Sequence, residues 1–445
     1  MSIRQLFLSA GAGLGLGLTL ALTPPSGWAQ TAPAAPAPAT PIPAALTLGQ
    51  ALAAARGNSD VIIARRAAEA ARADVRAANH APLPTLTAQA ESIDLQNGVG
   101  AGNALTRKRV DKSLGIDWTW ERGNKRALRT LAATRNAEAA EADVEDMRLQ
   151  QLQATLAAYV DLLAAQEREQ EVAAIAEGNN QLARSATRRV QAGDLAVQEA
   201  ARTAIEAQRA AGDVQSAVLD RQRAALALAQ FTGGSVPARA DADAWQRLLA
   251  AQGGGASDLD IVSFVESTPE VRAALARVQA GQAALDNAQA LKKTDLTIGT
   301  SVHHYPGTSN RMVDVRVSMP LQWGYGYEGE IGRAQAEYAQ AQEALDKARR
   351  VATLDLQRLR QEADTAAARA ARYDTGILPQ ARQVAQSAEL AFQRGASSLT
   401  DLLDARRTLR ATLLEALDAR ADQAKAAGAW LLRTRPQALT DTNAQ

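Results

Sequence analysis

Two helical segments of nearly equal length, each lying between two glycines, dominate this chain. Gly193 follows Gly123 by 70 residues, and Gly395 follows Gly324 by 71. A largely helical segment of that length spans roughly 100 Å, several times the thickness of a bilayer core. A compact fold cannot use such a length, so the sequence predicts an elongated protein that crosses a distance.

The two segments belong to an internal repeat, since Gly395 also follows Gly193 by 202 residues. Each half has the pattern helix, two strands, very long helix, glycine and helix. Helical patterning covers 48–80 and 268–292. Alternating patterns that indicate strands cover 85–96, 110–121, 294–305 and 311–323.

The repeat also predicts the domain organisation. We expect a first repeat over 46–235, an inter-repeat linker over 236–259, a second repeat over 260–435 and a tail over 436–445. The aromatic content of 4% and the abundance of alanine favour closely packed helices over a conventional globular core.

The first residues indicate an export signal followed by a linker. Arg4 precedes a run rich in Leu, Gly and Ala, and Ala29 ends a small-residue motif of the kind that a signal peptidase recognises. We predict a signal peptide over 1–29. A membrane anchor is the alternative, but an anchor needs roughly 20 strongly apolar residues, and glycines dilute this run. Residues 30–45 are rich in proline and alanine and read as an extended linker.

The alternating segments have the pattern of outer-membrane barrel strands. One face of the last segment is apolar, and its residues are Val313, Val315, Val317, Met319, Leu321 and Trp323. A barrel strand needs about 9–11 residues with this alternation. Because four strands cannot close a barrel and open edges are not tolerated in lipid, this interpretation requires oligomerisation. Three copies would supply twelve strands. A soluble sheet packed on helices is the alternative.

The long helices carry coiled-coil spacing, and glycine marks the point where each one ends. One seam consists of Leu149, Leu152, Leu156, Tyr159 and Leu163. Because a tight reversal between helices commonly needs a left-handed residue, we predict hairpin tips at Gly193 and Gly395. A flexible kink inside a coiled coil is the alternative. We also expect helix breaks at 178–180 and 376–379, ahead of the tips.

Composition and motifs argue against several classes of function. The chain has no cysteine, which excludes thiolate metal sites and cysteine nucleophiles. Neighbouring residues of a strand point to opposite faces, so His303 and His304 cannot easily chelate one ion, and we expect no metal site. The net charge of +1 gives no reason to expect nucleic acid as a partner. We find no nucleotide-binding loop and no catalytic constellation, and predict neither enzymatic activity nor a cofactor.

The region from about 46 to 435 resembles the TolC-like outer-membrane efflux protein family. The resemblance rests on the opening "TLGQAL", the duplicated unit, and the tip sequences "QAGDLAVQEA" and "QRGASSLTDLLDA". It implies a mainly α protein with a small transmembrane β part. Three protomers of four strands each would form a twelve-stranded barrel, continued by an α-helical tunnel through the periplasm.

The resemblance also implies sites and partners. The hairpin tips of this family dock with a periplasmic adaptor protein, which links the channel to an inner-membrane pump. Carried over to this chain, the docking positions are Gly193, Leu195, Val197, Gly395, Ser398 and Leu399. The residues expected at the narrow periplasmic aperture are Asp401, Asp404 and Glu199. Carboxylates three apart share one helix face, and a ring of them favours cations over anions.

The leading functional prediction is a passive exit duct in the outer membrane. The second-half stretch 294–324 resembles the cation-efflux branch of the family more than the protein-secreting branch, which suggests metal ions or small toxic compounds as cargo of a resistance-nodulation-division pump. A periplasmic coiled-coil structural protein and a periplasmic adaptor are the alternatives. A structural coiled coil does not explain two amphipathic strand pairs at matching places, and an adaptor usually has one hairpin and a substantial β-rich remainder.

Overall fold

The computed structural model describes a long bundle of helices that ends in a small sheet. The described residues are 45–91, 93, 96, 98, 100–102, 110–234, 236–237, 239–242, 244–245, 260–305 and 309–435. The predicted signal peptide, most of the predicted linker over 30–45 and the predicted tail lie outside them. No helix in these described ranges has the length and apolar character needed to cross a membrane.

The elements of the two halves follow the same order. The first half contains β1 (Ala45–Leu46), α1 (Leu48–Ala55), α2 (Ser59–Ala78), β2 (Thr85–Glu91), β3 (Asp111–Trp120), α3 (Lys125–Gln191), α4 (Val197–Phe231) and β4 (Arg239–Ala240). The second half contains α5 (Ile261–Val265), α6 (Pro269–Ala290), β5 (Leu296–Tyr305), β6 (Ser309–Ser318), α7 (Glu328–Arg372), a π-helical turn (Tyr373–Ile377), α8 (Leu378–Gln393) and α9 (Leu399–Thr434). The duplicated unit predicted from the sequence is therefore present.

The predicted helix break is wrong in the first half and correct in the second. α3 runs without interruption for 67 residues and passes through Gly178. Glycine in a helix costs only about 1 kcal/mol, and packing of α3 along the other helices outweighs that cost. In the second half, a π-helical turn precedes Pro379, which lacks the N–H that a regular helix would use there.

Four strands form one antiparallel sheet in the order β2-β3-β5-β6. The register pairs Leu114 with Val302 across the junction of the two halves, and Val302 with Val313 in the second hairpin. β6 ends at Ser318, so Met319, Leu321 and Trp323 lie beyond the strand in which we expected them. β2 and β6 are the edges of this sheet in the single protomer.

The two faces of the sheet differ in chemistry. One face is largely apolar, and its exposed apolar side chains are Leu86, Leu114, Ile116, Trp118, Trp120, Ile298, Val302, Val313, Val315 and Val317. The opposite face is polar, and its side chains bond to one another. There Asp117 accepts a hydrogen bond from Thr87 at 3.2 Å and forms an ion pair with Arg316. Such a sheet cannot remain stable in water as a single protomer without covering its apolar face.

The main core lies midway along the molecule, where the two short strands pair. Tyr159 is fully buried, donates a hydrogen bond to the Leu46 carbonyl at 2.9 Å and accepts one from the Asp241 N–H at 3.2 Å. Gln166 bonds both the N–H and the carbonyl of Ala240. Thus β4, which lies inside the predicted inter-repeat linker, is held by α3. The predicted domain boundaries themselves stay a prediction.

Candidate functional site

The first hairpin tip is a tight turn between α3 and α4. Gly193 has a φ of +84°, in the left-handed region. Its N–H donates to the Val190 carbonyl at 3.0 Å, and the Asp194 N–H donates to the Arg189 carbonyl at 2.8 Å. This pair of bonds is a Schellman motif, which ends a helix and satisfies its last carbonyl groups.

The second tip, between α8 and α9, has the same turn. Gly395 has a φ of +73°. The Gly395 N–H donates to the Phe392 carbonyl at 3.1 Å, and the Ala396 N–H donates to the Ala391 carbonyl at 2.8 Å. Both glycines therefore reverse the chain as the sequence predicted, and neither is a kink inside a continuous helix.

The predicted docking positions differ in how much surface they offer. Val197 is 74% exposed and Leu195 is half-buried, whereas Leu399 is only 3% exposed. Leu399 packs with Leu402 and Leu403 against side chains of α3 and α8, namely Leu182, Ala388 and Phe392. Ser398 is exposed and caps α9. Leu399 therefore supports the tip from within and has little surface for a partner.

Asp401 forms a capping box with Ser398 at the start of α9. The Asp401 N–H donates to Ser398 Oγ at 3.2 Å. In return, the Ser398 N–H and Oγ donate to Asp401 Oδ2 at 3.1 and 2.8 Å. The bond from the Ser398 side chain, followed by the bond from its backbone, holds the pKa of Asp401 below its ordinary value. Asp401 therefore stays ionised and exposed at the tip.

Asp404 lies one turn further along α9 and is also exposed. Its carboxylate is 3.3 Å from Arg407, and Arg407 also contacts Glu206 of α4 at 2.6 Å. Arg410, one turn beyond, contacts Asp213 of α4 at 2.6 Å. The structure thus brings Asp401 and Asp404 together on one exposed side of α9. Arg407 compensates part of their negative charge.

Glu199 occupies the matching position in the first hairpin. It is the third residue of α4, as Asp401 is the third residue of α9. Its backbone N–H donates to the Ala196 carbonyl at 3.1 Å, and its side chain is half-buried. Ala196 cannot form a side-chain cap, so no capping box forms here.

Further contacts join the two hairpins near the tips, and sequence reasoning missed them. Arg406 contacts Glu389 of α8 at 3.1 Å and donates to the Gly178 carbonyl of α3 at 3.3 Å. Arg189 of α3 lies over the Phe392 ring of α8, 5.4 Å from its centroid. The arginines were visible in the sequence, but Gly178 as a partner of Arg406 and Phe392 as a partner of Arg189 come from the other half of the chain. In the part of the chain that the structure describes, no group of three or more acidic or histidine side chains could hold a metal ion.

The fold and the tips define a class of protein. A sheet with one largely apolar face, joined to helical hairpins of about 100 Å, is a fold that this chain shares with solved outer-membrane channels. The family model for "Outer membrane efflux protein" matches residues 261–429. The match covers most of the second repeat and agrees with the resemblance to outer-membrane efflux proteins that the sequence showed.

Individual relatives and solved structures agree with this resemblance. The chain is 27% identical over 289 residues to the cobalt-zinc-cadmium resistance protein CzcC of Cupriavidus metallidurans, which covers 65% of this chain and 68% of that protein. The outer membrane protein VceC of Vibrio cholerae matches with a TM-score of 0.69 at 18% identity, over 88% of this chain and 96% of that one. CusC, described as forming a transmembrane channel, matches with a TM-score of 0.68 at 18% identity, over 88% and 91%.

Proposed function

We propose that this protein is the outer-membrane channel of a tripartite efflux system. It would be a passive exit duct for metal ions or small toxic compounds, which an inner-membrane pump and a periplasmic adaptor deliver. The observation that carries the proposal is the exposed apolar face of the four-stranded sheet at one end of roughly 100 Å of helical hairpin. The similarity to CzcC favours metal ions as cargo.

The open sheet edges argue for assembly as a homotrimer. Among the described residues, β2 and β6 each have one edge that pairs with no other strand of the single protomer, and lipid cannot satisfy the backbone groups of such an edge. Pairing β6 of one copy with β2 of the next would remove both edges. Three copies give twelve strands, which is within the range of bacterial outer-membrane barrels. The polar face would then line the lumen and the apolar face would contact lipid.

The trimer and its location can be tested by mass measurement on protein extracted from isolated outer membranes. A trimer in that fraction supports the duct. A soluble monomer or dimer in the periplasm contradicts it and favours a periplasmic coiled-coil structural or adaptor protein.

We place adaptor docking at the tips, with Gly193, Leu195, Val197, Gly395 and Ser398 at the surface. Val197 carries most of the exposed apolar area among them, and exposed apolar side chains are typical anchors for a partner protein. Val197→Ser should therefore weaken cross-linking of the channel to its adaptor. Val384→Ser, at a similarly exposed valine in α8, is the matched control. An equal loss in both variants would contradict a specific role for the tip.

We place the periplasmic aperture at Asp401, Asp404 and Glu199. Three copies of the first two residues would put six carboxylates around a narrow opening, where they attract cations. The double variant Asp401→Asn with Asp404→Asn should weaken the block of single-channel current by divalent cations added from the periplasmic side. Asp220→Asn removes an exposed aspartate with the same i,i+3 arginine pairing, away from the tip. If divalent cations block the double variant as strongly as the unmodified channel, Asp401 and Asp404 do not line the aperture.

A further inference from the structure

A histidine and an aspartate face each other on the polar side of the sheet. The distance between Nε2 of His303 in β5 and Oδ2 of Asp314 in β6 is 2.9 Å. The His303 side chain is 16% exposed and the Asp314 side chain 51% exposed, so the pair is accessible from one side. The duct proposed above makes that side the lumen of the barrel.

Neighbouring side chains fix the orientation of the His303 ring. The Tyr305 hydroxyl is 3.1 Å from Nδ1, and the two rings stack with centroids 5.5 Å apart. Ser301 Oγ is 2.8 Å from Nε2. A hydrogen-bond partner on the second ring nitrogen is the usual arrangement of a metal-binding histidine, because it directs the other nitrogen toward the metal. Here the nitrogen so directed faces a carboxylate and a hydroxyl.

The spacing of the two donor atoms suits a cation. Bonds of about 2.1 Å from a metal to an imidazole nitrogen and a carboxylate oxygen place those atoms about 3.0–3.4 Å apart. The 2.9 Å separation therefore needs only a small shift to admit an ion. The ion would replace the hydrogen bond between the two groups, and any proton on the ligating atoms would be released to water. Imidazole and carboxylate together suit divalent cations such as Zn²⁺ and Co²⁺ better than Mg²⁺, which prefers oxygen ligands.

We propose that His303 and Asp314 form a weak binding site for a divalent transition-metal cation in the lumen of the barrel, one site in each protomer. The proposal rests on the proposed function, because only a closed barrel makes this face a lumen. Two protein ligands hold an ion loosely. Conduction requires a site that is favourable enough to enter and weak enough to leave. The sites would line the last part of the exit path.

The chain offers a matched control in the next residue. His304 belongs to the same strand but points to the opposite face, where the apolar side chains lie. His303→Ala and His304→Ala thus remove the same side chain from the two faces of one strand. Asp314→Asn keeps the size of its side chain and removes the charge.

The test is block of single-channel current in planar bilayers by Zn²⁺ added from the extracellular side, using the full trimer. We expect His303→Ala and Asp314→Asn each to raise the Zn²⁺ concentration for half-block by about tenfold, and His304→Ala to leave it unchanged. If the channel conducts and Zn²⁺ blocks all variants equally, the proposed site is wrong. The site is also wrong if His304→Ala weakens the block as much as His303→Ala does. In both cases the proposed duct still stands.

A second measurement does not depend on conduction. The chain has 3 histidines, so their modification by diethyl pyrocarbonate can be followed separately by peptide mass spectrometry on the detergent-extracted trimer. Zn²⁺ should protect His303 and leave His80 and His304 as reactive as before. If a folded trimer does not conduct, the proposed duct is wrong. The protection of His303 by Zn²⁺ then becomes the only test of the proposed metal site. Absence of protection at His303 overturns it.

Discussion

The two hairpin tips have the same turn but are stabilised in different ways. Both reverse at a left-handed glycine with the same two backbone hydrogen bonds. A shift of 202 positions superimposes their sequences, and Ala196 then corresponds to Ser398 and Ala200 to Leu402. The second tip therefore has a side-chain cap and a buried leucine where the first has alanines.

The same alignment of the two tips also shows a difference in charged residues. Glu199 corresponds to Asp401, but Arg202 takes the place of Asp404. The carboxylate pair is thus specific to the second hairpin. Its tip is also held by the cluster around Leu402, to which Leu182 of α3 contributes, whereas the first tip exposes Val197. In the proposed duct, the second tip would keep its shape beside the proposed aperture, and the exposed first tip would be covered by the proposed adaptor.

The largest expected effect comes from removing the leucine that only the second tip has. Leu402 is 1% exposed. Leu402→Ala should reduce the free energy of opening this hairpin by about 2–5 kcal/mol, through lost burial and a residual cavity. Native-state amide exchange at the start of α9 measures that free energy. Val197→Ala, at an exposed position, should change the first tip by no more than about 0.5 kcal/mol. Similar losses in both variants would remove the contrast between the tips.

Substitution of the glycines should affect both tips alike. A Cβ at either Gly193 or Gly395 would meet no atom within 4 Å, so the cost of alanine is conformational and amounts to about 1–2 kcal/mol. Gly193→Ala and Gly395→Ala should each lower the free energy of opening their own hairpin by that amount, measured by amide exchange. A much larger effect at one tip would mean that the two turns are not equivalent.

The capping difference can be exchanged between the tips. Ser398→Ala should destabilise the second tip by about 1 kcal/mol, because it removes the side chain that caps α9. Ala196→Ser places a serine three residues before Glu199, which is the sequence of a capping box. We expect it to stabilise the start of α4 by about 0.5–1 kcal/mol. Amide exchange of the first turns of α4 and α9 measures both changes. If Ala196→Ser does not stabilise the start of α4, the backbone of the first tip does not allow the serine side chain to form the capping hydrogen bond.

Much of this comparison was accessible from the sequence, and the rest depended on contacts between distant residues. Equal spacing of glycines predicted the length of the hairpins and the position of their tips, because glycine in a left-handed turn is a local requirement. The capping box also depends on a local pattern, because Ser398 and Asp401 are only three residues apart. By contrast, Arg407 and Glu206 are 201 positions apart. Their pairing depends on how the hairpins pack, which local patterns do not encode.

The prediction of a helix break at Gly178 failed for the same reason that the ion pairs were missed: both depend on contacts between distant parts of the chain. Local propensity disfavours glycine and asparagine in a helix by about 1 kcal/mol or less for each residue. The contacts that keep α3 continuous come from the rest of the bundle, including the bond from Arg406 to the Gly178 carbonyl. At Pro379 the obstacle is covalent, so packing cannot remove it. The π-helical turn before Pro379 is how the second half accommodates the proline.

The smallest expected effect is a dependence of the second tip on pH. The hydrogen bonds from Ser398 hold the pKa of Asp401 below its ordinary value of 3.8. A carboxylate with a lowered pKa in the folded state contributes stability above its unfolded pKa, and that contribution is lost as the pH falls through the folded value. The start of α9 should therefore keep its protection from amide exchange between pH 7 and 5, and begin to lose it below about pH 4.

The first tip provides the internal reference for this measurement. It has no side-chain cap, so protection of the first turn of α4 should not change from this cause, after correction for the intrinsic exchange rate. Asp401→Asn should remove the dependence from the second tip. If both tips lose protection together, or if the asparagine variant retains the dependence, the effect comes from the bundle as a whole. The capping box would then not be what distinguishes the second tip in acid.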